Sequence, residues 1–158
     1  MIESLLQYLV AHGRKEKDAV ADDVKRSIEI HIPSELGYEK VAMEAAGAAA
    51  KRMGFSADRI QNLKTAVAEA CLNAIEHGNK LDVSTEVGIV LTIQPASLQV
   101  NVTDEGKQPF PDRPIQPGRP EDHRGWGMFL IQNLMDEVQV SAEPDGGNQV
   151  RMVIHLDK

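Results

Sequence analysis

The run Glu69-Ala70-Cys71-Leu72-Asn73-Ala74-Ile75-Glu76-His77-Gly78 reads as the C-terminal part of an amphipathic helix. Residues four apart share a helix face, so Glu69, Asn73 and His77 form one polar column. Beside it Ile60, Leu63, Val67, Ala70, Cys71 and Ala74 recur at intervals of three and four, as a stripe turned toward a core does. A carboxylate, an amide and an imidazole therefore line the edge of a buried face. A carboxylate can take up a proton, and an amide oxygen can hold a hard cation such as Mg²⁺. Polar columns of this kind also occur as plain solvated flanks, so the neighbouring segments decide between the two readings.

Upstream, Ser56 is the expected N-cap of this helix, and Gly78 ends it. Arg26–Ile32 alternates, with Ile28, Ile30 and Ile32 on one side, and predicts a strand with one buried face. Pro33-Ser34 ends the strand. A helix opening at Ser34 or Glu35 is predicted to run through Met53 and stop at Gly54. Its Ala42, Ala45, Ala46, Ala48, Ala49 and Ala50 permit close packing on a neighbour.

Downstream, strands are expected at Glu86–Ile93 and Leu98–Thr103, joined at Pro95-Ala96-Ser97. Residues 107–123 contain Pro109, Pro111, Pro114, Pro117 and Pro120 and read as a loop. A helix from Gly127 to about Met135 then precedes strands Glu137–Ala142 and Gln149–Leu156, hinged at Pro144-Asp145-Gly146-Gly147. Runs of strands with helices between them imply an α+β fold. The expected form is a two-layer α/β sandwich, an antiparallel or mixed sheet with helices on one face.

With 158 residues, one domain with one sizeable core is expected. Aromatic residues make up only 4%, so that core must be aliphatic. A net charge of −7 argues against direct binding of nucleic acid, which calls for clustered Lys and Arg. The single Cys excludes an internal disulfide, and no Cys/His cluster suggests zinc. The N-terminus lacks a signal-peptide pattern, and no apolar run approaches the ~18 residues needed to span a bilayer. A cytoplasmic protein without a membrane partner is expected. Residues 1–25 read as an N-terminal helical extension or linker, with an apolar stripe of Ile2, Leu5, Leu6, Leu9 and Val10. That stripe could dock on the domain, form a dimer contact or stay partly disordered.

Two further segments join the first. The strand Val100-Asn101-Val102-Thr103 runs out into Asp104-Glu105-Gly106, and after the Pro-rich gap comes Arg124-Gly125-Trp126-Gly127-Met128-Phe129-Leu130-Ile131-Gln132-Asn133-Leu134-Met135-Asp136-Glu137-Val138. In this order the three segments resemble the N, G1 and G2 boxes of the GHKL-type (Bergerat-fold) ATPases. Their short spacing and the Leu-Met-Asp-Glu-Val tail look most like the anti-sigma-factor serine kinases, and the resemblance covers roughly residues 26–156.

The resemblance implies a histidine-kinase-like ATP-binding domain over residues 26–158, with ATP and Mg²⁺ as cofactors. It implies an ATP-dependent protein serine kinase that doubles as an anti-sigma factor. Such a protein sequesters a sigma factor and phosphorylates an anti-sigma-factor antagonist, and it tends to form a homodimer. Glu69 would activate the attacking serine hydroxyl, and Asn73 would offer its side-chain oxygen to Mg²⁺ bridging the phosphates. Asp104 would accept from the adenine amino group, with Gly106 letting the base approach. Gly125, Trp126, Gly127 and Met128 would bring a helix N-terminus to the phosphates, with Arg124 adding charge. His77 is read as nucleotide-adjacent or structural, Cys71 and Met135 as core, and residues 107–123 as the lid.

Two positions depart from the family pattern. Gln108, followed by Pro109, stands where many relatives have a second Gly, and Asn148-Gln149 follows the glycine pair where relatives often have Thr. A non-catalytic nucleotide- or protein-binding switch is therefore the rival reading, opposed by the intact Glu69 and Asn73. The detached ATPase module of a histidine kinase is a third. It would need a phosphoacceptor His on a long helix, and His12 is followed at once by Gly13.

Overall fold

The computed structural model describes residues 26–107 and 123–156, together with Glu3 and Gln7. Among the described residues the chain runs β1 (Arg26–Pro33), α1 (Glu39–Met53), α2 (Ala57–Asn73, continued by a widened turn Ala74–Gly78), β2 (Glu86–Ile93) and β3 (Ser97–Thr103). It continues through α3 (His123–Leu134), β4 (Glu137–Ala142) and β5 (Asn148–His155). The expected order β-α-α-β-β-α-β-β is present. The rest of the N-terminal extension, and residues 108–122 of the lid expected at 107–123, Gln108 included, lie outside the described residues.

The five strands form one sheet in the order β1-β2-β3-β5-β4, and every neighbouring pair is antiparallel. Of the two sheet types expected, the antiparallel one is realised. Alternation sets which side is covered. Val87, Ile89 and Leu91 of β2, Leu98, Val100 and Val102 of β3, and Val150, Met152 and Ile154 of β5 are all buried. On the helical side Ala42, Ala46, Ala49 and Ala50 of α1, Leu63, Val67, Ala70 and Cys71 of α2, and Met128 and Ile131 of α3 complete one cluster. The large, fully buried side chains are Leu, Ile, Val and Met, each contributing about 1.5–3 kcal/mol by leaving water, and so offsetting the shortage of aromatics.

The helix ends show where local chemistry acts. Ser56 caps α2 as expected, its Oγ accepting from the Arg59 N–H at 3.3 Å. Gly54 ends α1 in the left-handed conformation, φ 94°. Three expectations need correction. Helix α1 begins at Glu39 rather than at Ser34 or Glu35. Gly37 takes φ 108° and its N–H donates to the Glu39 carboxylate at 2.6 Å, so residues 34–38 form turns that lead into the helix. Helix α2 does not stay regular through Gly78, because its last turn widens into a π-turn in which the Asn79 N–H donates to the Ala74 carbonyl at 2.8 Å. Helix α3 starts at His123 rather than near Gly127, so Gly125 and Gly127 lie inside its first turns.

An ion pair fastens the helices to the sheet. Arg59 at the start of α2 donates to Asp136 Oδ2 at 2.6 Å and to the His155 carbonyl at 2.8 Å, and the same carboxylate oxygen accepts from the His155 N–H at 2.7 Å. Asp136 lies between α3 and β4, so one carboxylate ties three elements together.

Candidate functional site

Helix α2 forms one wall of the site, and its C-terminal half with the widened turn meets two different partners. Toward its middle, Glu69 and Asn73 face the backbone of α3. A methyl group placed on Gly127 would stand 2.9 Å from Glu69 Oε2 and 3.1 Å from Asn73 Nδ2. Glycine leaves that space to the two side chains, which a Cβ would force to shift. Asn73 is buried, and its Nδ2 has no hydrogen-bond partner. A buried amide with an unmet donor is costly unless something outside the chain completes it. Burial also raises the Glu69 pKa above the ordinary carboxylate value, and the charge of Glu76 adds to the rise.

At the far end of α2, the widened turn sets Gly78 against Asp104. A Cβ on Gly78 would overlap the Asp104 carboxylate, and one on Gly106 would overlap the Gly78 carbonyl. Asp104 follows β3, and the β3–β5 pairing of Thr103 with Gln149 brings it beside Asn148. Its Oδ1 accepts from the Gly106 N–H at 2.9 Å and the Asn148 N–H at 3.1 Å, while its own N–H donates to the Asn148 carbonyl at 2.9 Å. Gly147, φ 92°, passes so close that a side chain would strike the Asp104 carbonyl. The carboxylate is buried, with one oxygen fixed by backbone donors.

The structure thus brings Glu69, Asn73 and Gly127 together at one end, and Gly78, Asp104, Gly106 and Asn148 at the other. His77 lies in the widened turn, with its Nε2 4.0 Å from Glu76 Oε2. Trp126 is largely exposed and meets Phe129 edge-on at 6.0 Å, whereas the Met128 side chain is buried in the core. The Arg124 side chain lies outside the described atoms. Asn148, which stands where relatives often have Thr, holds Asp104 through its backbone N–H and carbonyl.

Sequence reasoning missed Asn79. It is buried, its Nδ2 donates to Ser34 Oγ and to the Glu86 carbonyl, both at 3.0 Å, and its Oδ1 accepts from the Glu105 N–H at 2.7 Å. An Asn after a helix-ending Gly reads as an ordinary turn residue, and nothing local in the sequence distinguishes it.

The profile of the histidine kinase-like ATPase domain family matches residues 32–154. The chain belongs to this family. The match takes in α2, the Asp104 turn and α3 together. Among its relatives is the serine-protein kinase RsbW of Bacillus subtilis (strain 168), 36% identical over 139 residues, which are 82% of this chain and 86% of that one. The RsbW of Bacillus thuringiensis (strain Al Hakam) is 33% identical over 140 residues, covering 83% and 86%. A solved structure of the RsbU and RsbW domains of a Mycobacterium tuberculosis protein shares the fold, with a TM-score of 0.62 at 16% identity. That likeness covers 83% of this chain, which spans 32% of the solved one.

Proposed function

We propose that this chain is an ATP- and Mg²⁺-dependent protein serine kinase and anti-sigma factor. It would phosphorylate an anti-sigma-factor antagonist on serine and, in alternation, sequester a sigma factor. The observation that carries the reading is the convergence of Glu69 and Asn73 on the Gly127 backbone, in a chain 36% identical to a protein serine kinase. At about 1.5 Å rise per residue, Glu69 and Gly78 stand roughly 13 Å apart along the helix. Asp104 at the Gly78 end would then take the base, while the Glu69 end would take the γ-phosphate.

The unmet Nδ2–H of buried Asn73 calls for an acceptor such as a phosphate oxygen, and its Oδ1 is the atom that would be offered to a divalent cation held jointly with phosphates. When bound, Mg²⁺ would neutralise charge on the phosphate oxygens. Glu69 would accept the proton of the incoming serine hydroxyl on a carboxylate oxygen. The serine Oγ–P bond forms as the bond from γ-phosphorus to the bridging oxygen breaks and ADP leaves. Desolvation makes that carboxylate a stronger base than an exposed Glu. The backbone of α3 at Gly127, with Gly125 and Trp126 before it, would lie along the phosphates, and Arg124 would add positive charge. Residues 26–158 would be the catalytic domain and 1–25 an extension. A cytoplasmic homodimer accords with this role, and no helix among the described residues is long and apolar enough to cross a membrane.

Titration with Mg-ATP, followed by Trp126 fluorescence and calorimetry, tests the site. Saturable, Mg²⁺-dependent binding is expected, and no binding by either method sinks the kinase reading. Transfer to a serine-bearing antagonist should fall about 10²–10⁴-fold in Glu69→Ala, with ATP still bound. Transfer at the parent rate would remove Glu69 from its role.

A further inference from the structure

The Asn79 amide makes three hydrogen bonds, using both N–H donors and its oxygen, and each bond goes to a different piece of backbone or side chain. One N–H meets Ser34 Oγ at the end of β1, the other meets the Glu86 carbonyl at the start of β2, and the oxygen meets the Glu105 N–H beyond β3. Two donors facing two acceptors and an acceptor facing a donor fix which way the amide points. The chain accepts unusual backbone to keep it there. Directly after Asn79, Lys80 and Leu81 take φ values of 52° and 59°, a left-handed pair built without glycine.

Glu105 sits between Asp104, whose carboxylate lies against Gly78, and Gly106, whose N–H donates to that carboxylate. Its N–H is held by Asn79, and its own carboxylate accepts from the Glu86 N–H at 2.6 Å. The segment that aims Asp104 is therefore anchored on its α2 side by Asn79 and on its β5 side by Asn148. We infer that Asn79 is a positioning residue for nucleotide-base recognition: through the Glu105 N–H it holds the Asp104–Gly106 turn where its carboxylate can accept from an adenine amino group. The inference rests on the ATP reading above. Guanine presents a carbonyl at the corresponding position, so an accurately held carboxylate favours ATP over GTP.

The experiment compares ATP and GTP binding by calorimetry, with melting temperatures, for the parent, Asn79→Ala and Ser34→Ala. Ser34→Ala removes one partner of the amide but leaves the bond to Glu105 in place. The parent should prefer ATP. In Asn79→Ala, ATP affinity should fall about tenfold or more, and the ATP/GTP ratio should drop toward one. Ser34→Ala should lose thermal stability while keeping the parent's ratio. A folded Asn79→Ala protein with the parent's ratio overturns the inference and leaves the ATP site standing. A parent that binds neither nucleotide sinks the ATP reading itself, and the inference with it. If Asn79→Ala does not fold, Asn79→Asp decides: it keeps an acceptor toward Glu105, so a folded Asn79→Asp protein should keep the preference for ATP. Loss of that preference would show that the Glu105 bond does not set it.

Discussion

The Gly78 and Gly127 ends of the site treat their polar groups oppositely. At the Gly78 end, the Gly106 and Asn148 N–H groups hold Asp104 and the Asn79 amide holds the Glu105 N–H, through bonds of 2.7–3.1 Å, before any ligand arrives. At the Gly127 end, Asn73 keeps a buried donor without a partner, and Glu69 carries a carboxylate whose ionised form burial disfavours. The first end is a finished template and the second is an unfinished one. In a site for phosphoryl transfer this division makes physical sense. Base recognition depends on fixed geometry, whereas groups that meet metal, phosphate and a moving proton must retain capacity that the fold leaves unspent.

If the Gly78 end is a rigid template, its largest vulnerability is Gly147. Gly147→Ala would force a left-handed φ of 92° on a residue with a Cβ and drive that carbon into the Asp104 carbonyl. Destabilisation of about 3 kcal/mol is expected, a fall in melting temperature of roughly 6–12 °C, together with loss of ATP affinity. A Gly147→Ala protein that melts and binds like the parent would show that the template is looser than its contacts imply.

Next comes Asp136, which lies at neither end. Its pair with Arg59 is mostly buried, with 19% and 15% of the two side chains exposed, and removing one partner leaves the other charge unmet. Asp136→Ala should cost about 3 kcal/mol in denaturant unfolding, the low end for a pair that keeps some exposure. Because this clamp holds α2, α3 and β5 as a block, the ATP/GTP ratio should not change. A changed ratio would mean that the two ends are coupled through it.

What the sequence made legible follows the same division. Strand alternation, the Ser56 cap and the α2 stripe are local signals, and each led to the right element. The Glu69–Asn73 pair was legible because four-residue spacing survives in any regular helix. The third member of the column, His77, lies in the widened turn rather than in regular helix. A π-turn costs a helix little in its periodicity, so nothing in Ala74–Gly78 announces the widened turn that holds His77. Asn79 and Asn148 were opaque for a different reason. Their importance comes from partners 26 and 44 residues away in the chain, and a turn-forming amide looks the same with or without them. The start of α3 was misread because glycines argue against helix by propensity. Here Gly127 is kept for the room it leaves to Glu69 and Asn73.

That room can be tested directly. Gly127→Ala gains roughly 1 kcal/mol in helix propensity, which opposes the crowding of Glu69 and Asn73, so stability should change little. Phosphoryl transfer should nevertheless fall about tenfold or more, because both polar side chains must move. Unchanged stability with reduced transfer would separate this end from the Gly78 end, where stability and binding are expected to fail together.

The smallest effect concerns pH. A carboxyl whose pKa is raised in the folded state binds its proton more tightly there than in the unfolded chain. At low pH both states are protonated and Glu69 imposes no penalty. As pH rises past the ordinary Glu value the unfolded chain ionises first, and stability declines until the folded pKa is passed. Above it the full penalty remains. Glu69→Gln abolishes this titration, so the variant should be slightly more stable than the parent at neutral pH and equal to it in acid. Melting curves from about pH 4 to pH 7 measure the difference. A parent stabilised by ionised Glu69, with the difference reversed in sign, would mean that the carboxylate already has a partner and that the Gly127 end is as complete as the other.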